Sequence, residues 1–160
     1  QILIMTKERE EYLQKTFPEI YTNCGENNPY TLFGFECDDG WFNLLVRLSQ
    51  YIQGYINSNN RLAKKYPDQY KEIPQFKALQ VKEKFRTLRF YYCGGDEHIS
   101  AVVSFAEHLS GFTCEVTGKT ENVGYNAKGW HKTNHVSLKV GNDFTFVDTE
   151  ELRQFNLNKE

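Results

Sequence analysis

The chain is 160 residues long, with 39% hydrophobic residues, 25% charged residues and a formal net charge of −2. That balance excludes global disorder and points to a single domain, 1–160, with 112–160 as a candidate C-terminal subdomain. The slight acidic excess makes nucleic acid an unlikely partner, since a dedicated duplex binder carries surplus Lys and Arg, and leaves room only for a local basic patch.

Aromatic residues make up 15% of the chain, with 12 Phe and 10 Tyr, so rings fill much of the core and some line a surface or cleft. No apolar run is long enough for a membrane span. Met5 is the only methionine and reads as the native start, with Gln1 to Ile4 as residues added for expression. Cys24, Cys37, Cys93 and Cys114 are widely and irregularly spaced. They read as reduced thiols of a cytoplasmic protein, and only Cys24 and Cys37, which flank a loop, would be bridged in an oxidising compartment.

In chain order, Thr6 is placed to cap a short helix that runs to about Lys15, with Leu13 and Phe17 on one side and Pro18 as its stop. Residues Thr22 to Phe35 are rich in Asn, Gly and Pro and read as loop. Asp38 or Asp39 caps the next helix, whose stripe is Trp41, Leu44, Leu45, Leu48, Ile52 and Tyr55. The pattern weakens near Gly54 and Asn57–Asn60, and Arg61 to Tyr66 either continues the helix or forms a separate turn.

Leu79 to Gly95 alternates apolar and polar residues in two runs and reads as a β-hairpin. A two-residue turn at Arg86-Thr87 would pair Phe85 with Leu88, Glu83 with Phe90 and Val81 with Tyr92. Those six residues then share an inner face. Gln80, Lys82, Lys84, Arg89 and Tyr91 share an outer, basic one.

Asp96 caps a second amphipathic helix with a buried stripe of Ile99, Val102, Val103, Ala106 and Leu109, ended by Gly111. Phe112 to Val116 is a short strand, Thr117 to Gly129 a loop, and His135–Val140 with Phe144–Val147 a second hairpin around Gly141-Asn142. Asp148 or Thr149 caps a last helix carrying Leu152 and Phe155. Hairpins and separate helices together predict an α+β fold, an antiparallel hairpin-based sheet with flanking helices.

Three segments carry a resemblance. They are Asp39-Gly40-Trp41 opening a helix, Gln80–Phe85 with Leu88–Tyr92, and Cys114-Glu115-Val116 before Gly118. Together, over about Phe35 to Trp130, the chain resembles a group of small uncharacterised bacteriophage and bacterial proteins. Members of that group tend to have glycines in the hairpin turn and a zinc-ribbon-like C-terminal part, in which this segment reads CEVCG and a Cys pair follows a Gly-Trp. Here Thr117 replaces the second Cys, and His131 and His135 follow Gly129-Trp130. The resemblance implies the fold and a phage or prophage setting in the host cytoplasm; counter-defence is an expectation that goes beyond it. It supplies no catalytic residues.

Four chemistries are weighed on the residues. Cys114, His131 and His135 are ligand types that zinc accepts, but Cys114-x₂-Thr117 is no chelating pair and a strand at His135 would separate the two histidines. Lys82, Lys84, Arg89 and Tyr91 can hold an acidic partner or a phosphate while a ring stacks on a base, with Trp41 and Trp130 as anchors. Glu83, on the apolar face, needs a cation such as Arg47, a helix N-terminus or a raised pKa. Gly118-Lys119-Thr120 resembles the end of a phosphate loop, but Thr113 stands where the loop needs glycine.

The expectation is a non-enzymatic accessory protein without a cofactor that binds a host protein or a nucleotide-like small anionic ligand. The rival is a metal-dependent hydrolase or a zinc-binding, nucleic-acid-associated module using Cys114, His131, His135 and Glu83.

Overall fold

The computed structural model describes residues 5–21, 34–128 and 132–158, and these form the expected α+β arrangement, with two three-stranded sheets. Helix α1 (Lys7–Thr16) ends before Pro18, which then opens a single-turn helix α2 (Pro18–Tyr21), since proline is tolerated at a first helical position. Thr6 occupies the cap position of α1 without a side-chain bond; its amide donates instead to Asp39 Oδ1 at 2.8 Å.

Where loop was expected, Phe35–Glu36 forms strand β1, parallel to the next strand of the chain. A short 3₁₀ turn, Asp39–Trp41, then leads into α3 (Phe42–Lys65). This helix continues through Gly54 and the asparagines because they are held from outside it. Asn60 exchanges two hydrogen bonds with the backbone of Ile73, at 2.8 and 3.0 Å, and Asn59 donates to Lys71 O. The polar connector after α3 is thereby tied back along the helix.

Strands β2 (Lys77–Lys84) and β3 (Thr87–Cys93) form the hairpin, with the turn one residue earlier than expected. Lys84 pairs with Thr87, Lys82 with Arg89 and Val81 with Phe90, so Phe85 and Arg86 are the turn residues, at φ 50° and 74°. Moving a two-residue turn by one position moves every cross-strand partner by two. Because side chains alternate with period two, the faces survive. Val81, Leu88 and Phe90 are buried, whereas Phe85 leaves the inner face and is 74% exposed.

A primed turn needs positive φ at both central residues and normally recruits Asn or Gly. Phe-Arg is held there by its surroundings. Arg86 N donates to Glu83 Oε1 at 2.9 Å, Arg86 O accepts from Thr133 Oγ1 at 2.7 Å, and the Arg86 guanidinium lies 3.6 Å above the centre of the Tyr125 ring.

One face of this sheet packs on α3 and on α4 (Glu97–Ser110). Asp96 caps α4 as expected, accepting from Ile99 N. The far edge of β3 is closed by α4: Leu88 N donates to Ser110 Oγ and Phe90 N to Glu107 Oε2. Phe76, Phe90, Tyr92, Tyr21 and Phe35 form a chain of ring contacts in the core.

Beyond α4 the sequence reading is corrected at three points. Residues 112–116 are turns, not a strand. Strand β4 (Val123–Asn126) lies in the expected loop and is the centre of the second sheet. Strands β5 (Asn134–His135) and β6 (Phe144–Phe146) pair with β4 and not with each other. Gly141-Asn142 therefore does not close a hairpin. Helix α5 (Glu150–Leu157) is capped by Thr149 as anticipated. Among the described residues, no helix is long and apolar enough to cross a membrane.

A left-handed backbone costs about 1–2 kcal/mol at a residue with a Cβ, and asparagine tolerates it best. Replacing Phe85 with Asn is accordingly expected to raise the unfolding free energy by about 1 kcal/mol in urea titration. A loss of stability would show that the Phe85 ring, 5.6 Å from the Lys84 amine, contributes more than the turn geometry costs.

Candidate functional site: a basic sheet face and a buried carboxylate junction

The outer face of the hairpin presents three cross-strand rows, Gln80 beside Tyr91, Lys82 beside Arg89, and Lys84 beside Thr87. Tyr91 and Lys84 are exposed; Lys82 and Arg89 are half-buried. On the β1 side the face is bounded by Glu36, the register neighbour of Lys82, whose carboxylate accepts from Gln80 Nε2 at 3.3 Å. Among the described residues, none of Lys82, Lys84 and Arg89 takes part in an ion pair. Two cations directly opposite each other on neighbouring strands repel.

Trp41 does not join this face, which corrects its expected role as an anchor. It is fully buried, and its indole N–H donates to Thr113 O at 3.0 Å. A large ring whose one polar atom has a partner inside is a core residue. Trp130 lies outside the described residues.

Glu83 is half-buried on the inner side of the sheet, and its carboxylate holds the turn amide of Arg86. The expected partner Arg47 is elsewhere, exposed on α3 and bonded to Gln50. Turn geometry, which the sequence did not reveal, supplies the donor that Glu83 needed.

Two of the three metal candidates, Cys114 and His135, are among the described residues. Cys114 is fully buried, and its sulfur accepts the amide of Thr117 at 3.3 Å. With Gly118 at φ 76° and Gly118 N bonded to Cys114 O, the segment keeps a knuckle-like turn with one thiol. His135 Nδ1 is engaged by Ser137, at 2.8 Å to its hydroxyl and 3.2 Å to its amide, which leaves only Nε2 for a ligand. Burial and the charge of Lys119 lower the pKa of His135. His131 lies outside the described residues, and among those described no group of three or more His, Cys, Asp or Glu is arranged to hold a metal ion.

The segments that carry the resemblance meet at Glu115, a residue with no assigned role in the sequence reading. Gly40 N donates to Glu115 O at 2.6 Å, and Asp38 N to Glu115 Oε2 at 2.9 Å. Glu115 N donates to Thr133 O, and the Thr133 hydroxyl reaches the turn carbonyl of Arg86. A side chain at Gly40 would overlap the backbone of Cys114 and Glu115, so only glycine permits this approach. Of the two expected caps, Asp38 takes the position before the 3₁₀ turn, accepting from Asp39 N at 2.7 Å, while Asp39 binds α1 through Thr6 N and Arg9.

Glu115 is 2% exposed. Its second oxygen has no hydrogen bond, and Lys132 Nζ stands 3.9 Å away, itself 3.5 Å from Asp38 Oδ2. Burial dominates, and the carboxyl is pushed up to about 7 despite the opposing pull of Lys132 and the Asp38 amide, with the negative charges of Glu83 and Asp38 adding to the rise. Burial, then Glu115 and Asp38, raise the neighbouring Cys37 thiol well above its usual value, so it is no ready nucleophile. Cys37 and Cys114 are buried free thiols and Cys93 an exposed one; Cys24 lies outside the described residues.

Comparison with protein-family models, curated proteins and solved structures finds no match to this chain. The only sequence sign of the junction was that Asp39-Gly40-Trp41 and Cys114-Glu115-Val116 both belong to the segments of the resemblance.

Two outcomes follow from the junction. Because the native Glu115 carboxyl titrates near 7 and an unfolded one near 4.5, the native state keeps a proton that the unfolded chain has released. Stability is therefore full below about pH 4.5 and falls as pH rises through about 7, by on the order of 3 kcal/mol. Glu115→Gln should match wild type at pH 4, exceed it at pH 8 and remove this slope in urea unfolding; a mutant no more stable at pH 8 would refute the assignment. Gly40→Ala, which must separate two backbones, should cost about 2–3 kcal/mol, read by urea titration with Trp41 fluorescence.

Proposed function

We propose that the protein is a non-catalytic binding module that takes an anionic group on the outer face of its hairpin. The observation that supports this reading is the Lys82–Arg89 cross-strand pair, flanked by Lys84 and Tyr91 and without an ion-pair partner among the described residues. A cation facing a cation costs the sheet stability. A phosphate or carboxylate bridging the two relieves that repulsion, and the Tyr91 ring offers a surface for a base or an aromatic side chain. The ligand class is a nucleotide-like anion or an acidic segment of a host protein. The setting, a phage or prophage accessory protein working in the bacterial cytoplasm, rests on the resemblance of the three segments alone.

Titration calorimetry with pyrophosphate, a nucleoside triphosphate and an acidic hexapeptide tests this at low and high salt. At least one probe should bind, weaken as salt rises, and lose at least about tenfold in affinity in Lys82→Glu/Arg89→Glu. Circular dichroism should show the double variant folded, so that the lost affinity reads as a lost contact. Binding that ignores both salt and the double reversal would discard this face as the site.

A further inference from the structure

The outer face of the hairpin has two unlike ends. Its rows run Gln80–Tyr91, then Glu36–Lys82–Arg89, then Lys84–Thr87. Residues in register share a face, and successive rows lie about 7 Å apart along the strands. The cations occupy the second and third rows. The first row holds an amide and a ring, and the Glu36 carboxylate is drawn toward it, accepting from Gln80 Nε2 at 3.3 Å. Among the described residues Glu36 takes part in no ion pair, although Lys82 is its register neighbour.

Tyr91 is 44% exposed, so part of its ring is open to a stacking partner. Beside it, one N–H of Gln80 is engaged by Glu36, and the remaining capacity of the corner is mostly for accepting: the carboxylate oxygens and the amide oxygen. A ligand group seated there must bring donors. Among the four common bases, guanine does so on its Watson–Crick edge, where N1–H and N2–H stand side by side. Adenine and cytosine put a ring lone pair next to their amino group, and uracil flanks its single N–H with two carbonyls.

We propose that this face binds a guanine nucleotide, with the base on Tyr91, its Watson–Crick edge toward Glu36, and its phosphates on Lys82 and Arg89 with Lys84 beyond. The inference deepens the anion-binding reading above and rests on it. One row, about 7 Å, is a step of the size that separates a base from its own 5′-phosphate. Glu36 disfavours a bare phosphate at Lys82 by like-charge repulsion, which is how a site selects against the wrong ligand. Guanine turns the same carboxylate into the acceptor of two charge-assisted hydrogen bonds.

Titration calorimetry with GTP, ATP and inorganic tripolyphosphate at low salt tests this, on wild type and on Glu36→Gln. GTP should bind wild type at least about tenfold more tightly than ATP, and Glu36→Gln should lower GTP affinity by about as much. The sign is decisive. Removing a negative charge beside the cations raises the affinity for tripolyphosphate and ATP by electrostatics alone, so a fall for GTP reports a lost contact with the base. Tyr91→Ala should weaken both nucleotides at least about fivefold and leave tripolyphosphate unchanged. Equal affinity for GTP and ATP on wild type overturns the proposal, as does a GTP preference that survives Glu36→Gln, or a Tyr91→Ala that leaves the nucleotides unaffected. In those cases tripolyphosphate that binds, and is lost in Lys82→Glu/Arg89→Glu, keeps the anion-binding reading standing. If none of the three probes binds, both fall.

Discussion

The architecture turns on a contact between two stretches of main chain with no side chain between them. The amide of Gly40 meets the carbonyl of Glu115, and this closeness fixes what lies on either side. Trp41 follows Gly40 directly, so its ring enters the core beneath Thr113, and α3 starts from that point. Glu115 follows Cys114, so its carboxylate is carried into the interior, where the Asp38 amide and the Lys132 amine face it. A buried charge with incomplete partners is costly. The location of Glu115 is thus set by backbone packing, and its raised pKa is the consequence.

The same junction explains how an unpromising turn can exist. Nothing in Phe85-Arg86 favours a left-handed backbone, and two such residues in succession hold it only where the surroundings over-determine it. Thr133, adjacent to Lys132 at the junction, supplies the hydroxyl that grips Arg86 O, and β4 supplies the Tyr125 ring beneath the guanidinium. The second sheet therefore braces the tip of the first. That brace settles where the hairpin turns, and with it the exposure of Phe85.

Local features were readable in the sequence and non-local ones were not. The α4 cap at Asp96, the inner positions Val81, Leu88 and Phe90, and the cap of α5 followed from period and capping chemistry alone. The outward row of Lys82, Lys84, Arg89 and Tyr91 followed from alternation, and it survived a misplaced turn only because the shift was even. What was missed depends on distant partners. β1 is two residues long and exists because β2 lies beside it; α3 outruns its asparagines because Ile73 and Lys71 engage them; β4 hides in a polar, glycine-containing stretch whose pairing comes from both sides. Trp41 was misjudged because composition marks a tryptophan as a good anchor without saying which way it faces.

The use of Ser110 and Glu107 to occupy the outer amides of β3 has a consequence for how this protein can meet others. The opposite margin of the sheet is the two-residue β1, too brief a template for an added strand. Among the described residues, the outer amides of Leu88 and Phe90 are taken by α4, and β1 covers Val81 and Lys82. An added strand would have to displace these partners to pair at those positions. There the sheet meets other molecules through the side chains of its faces.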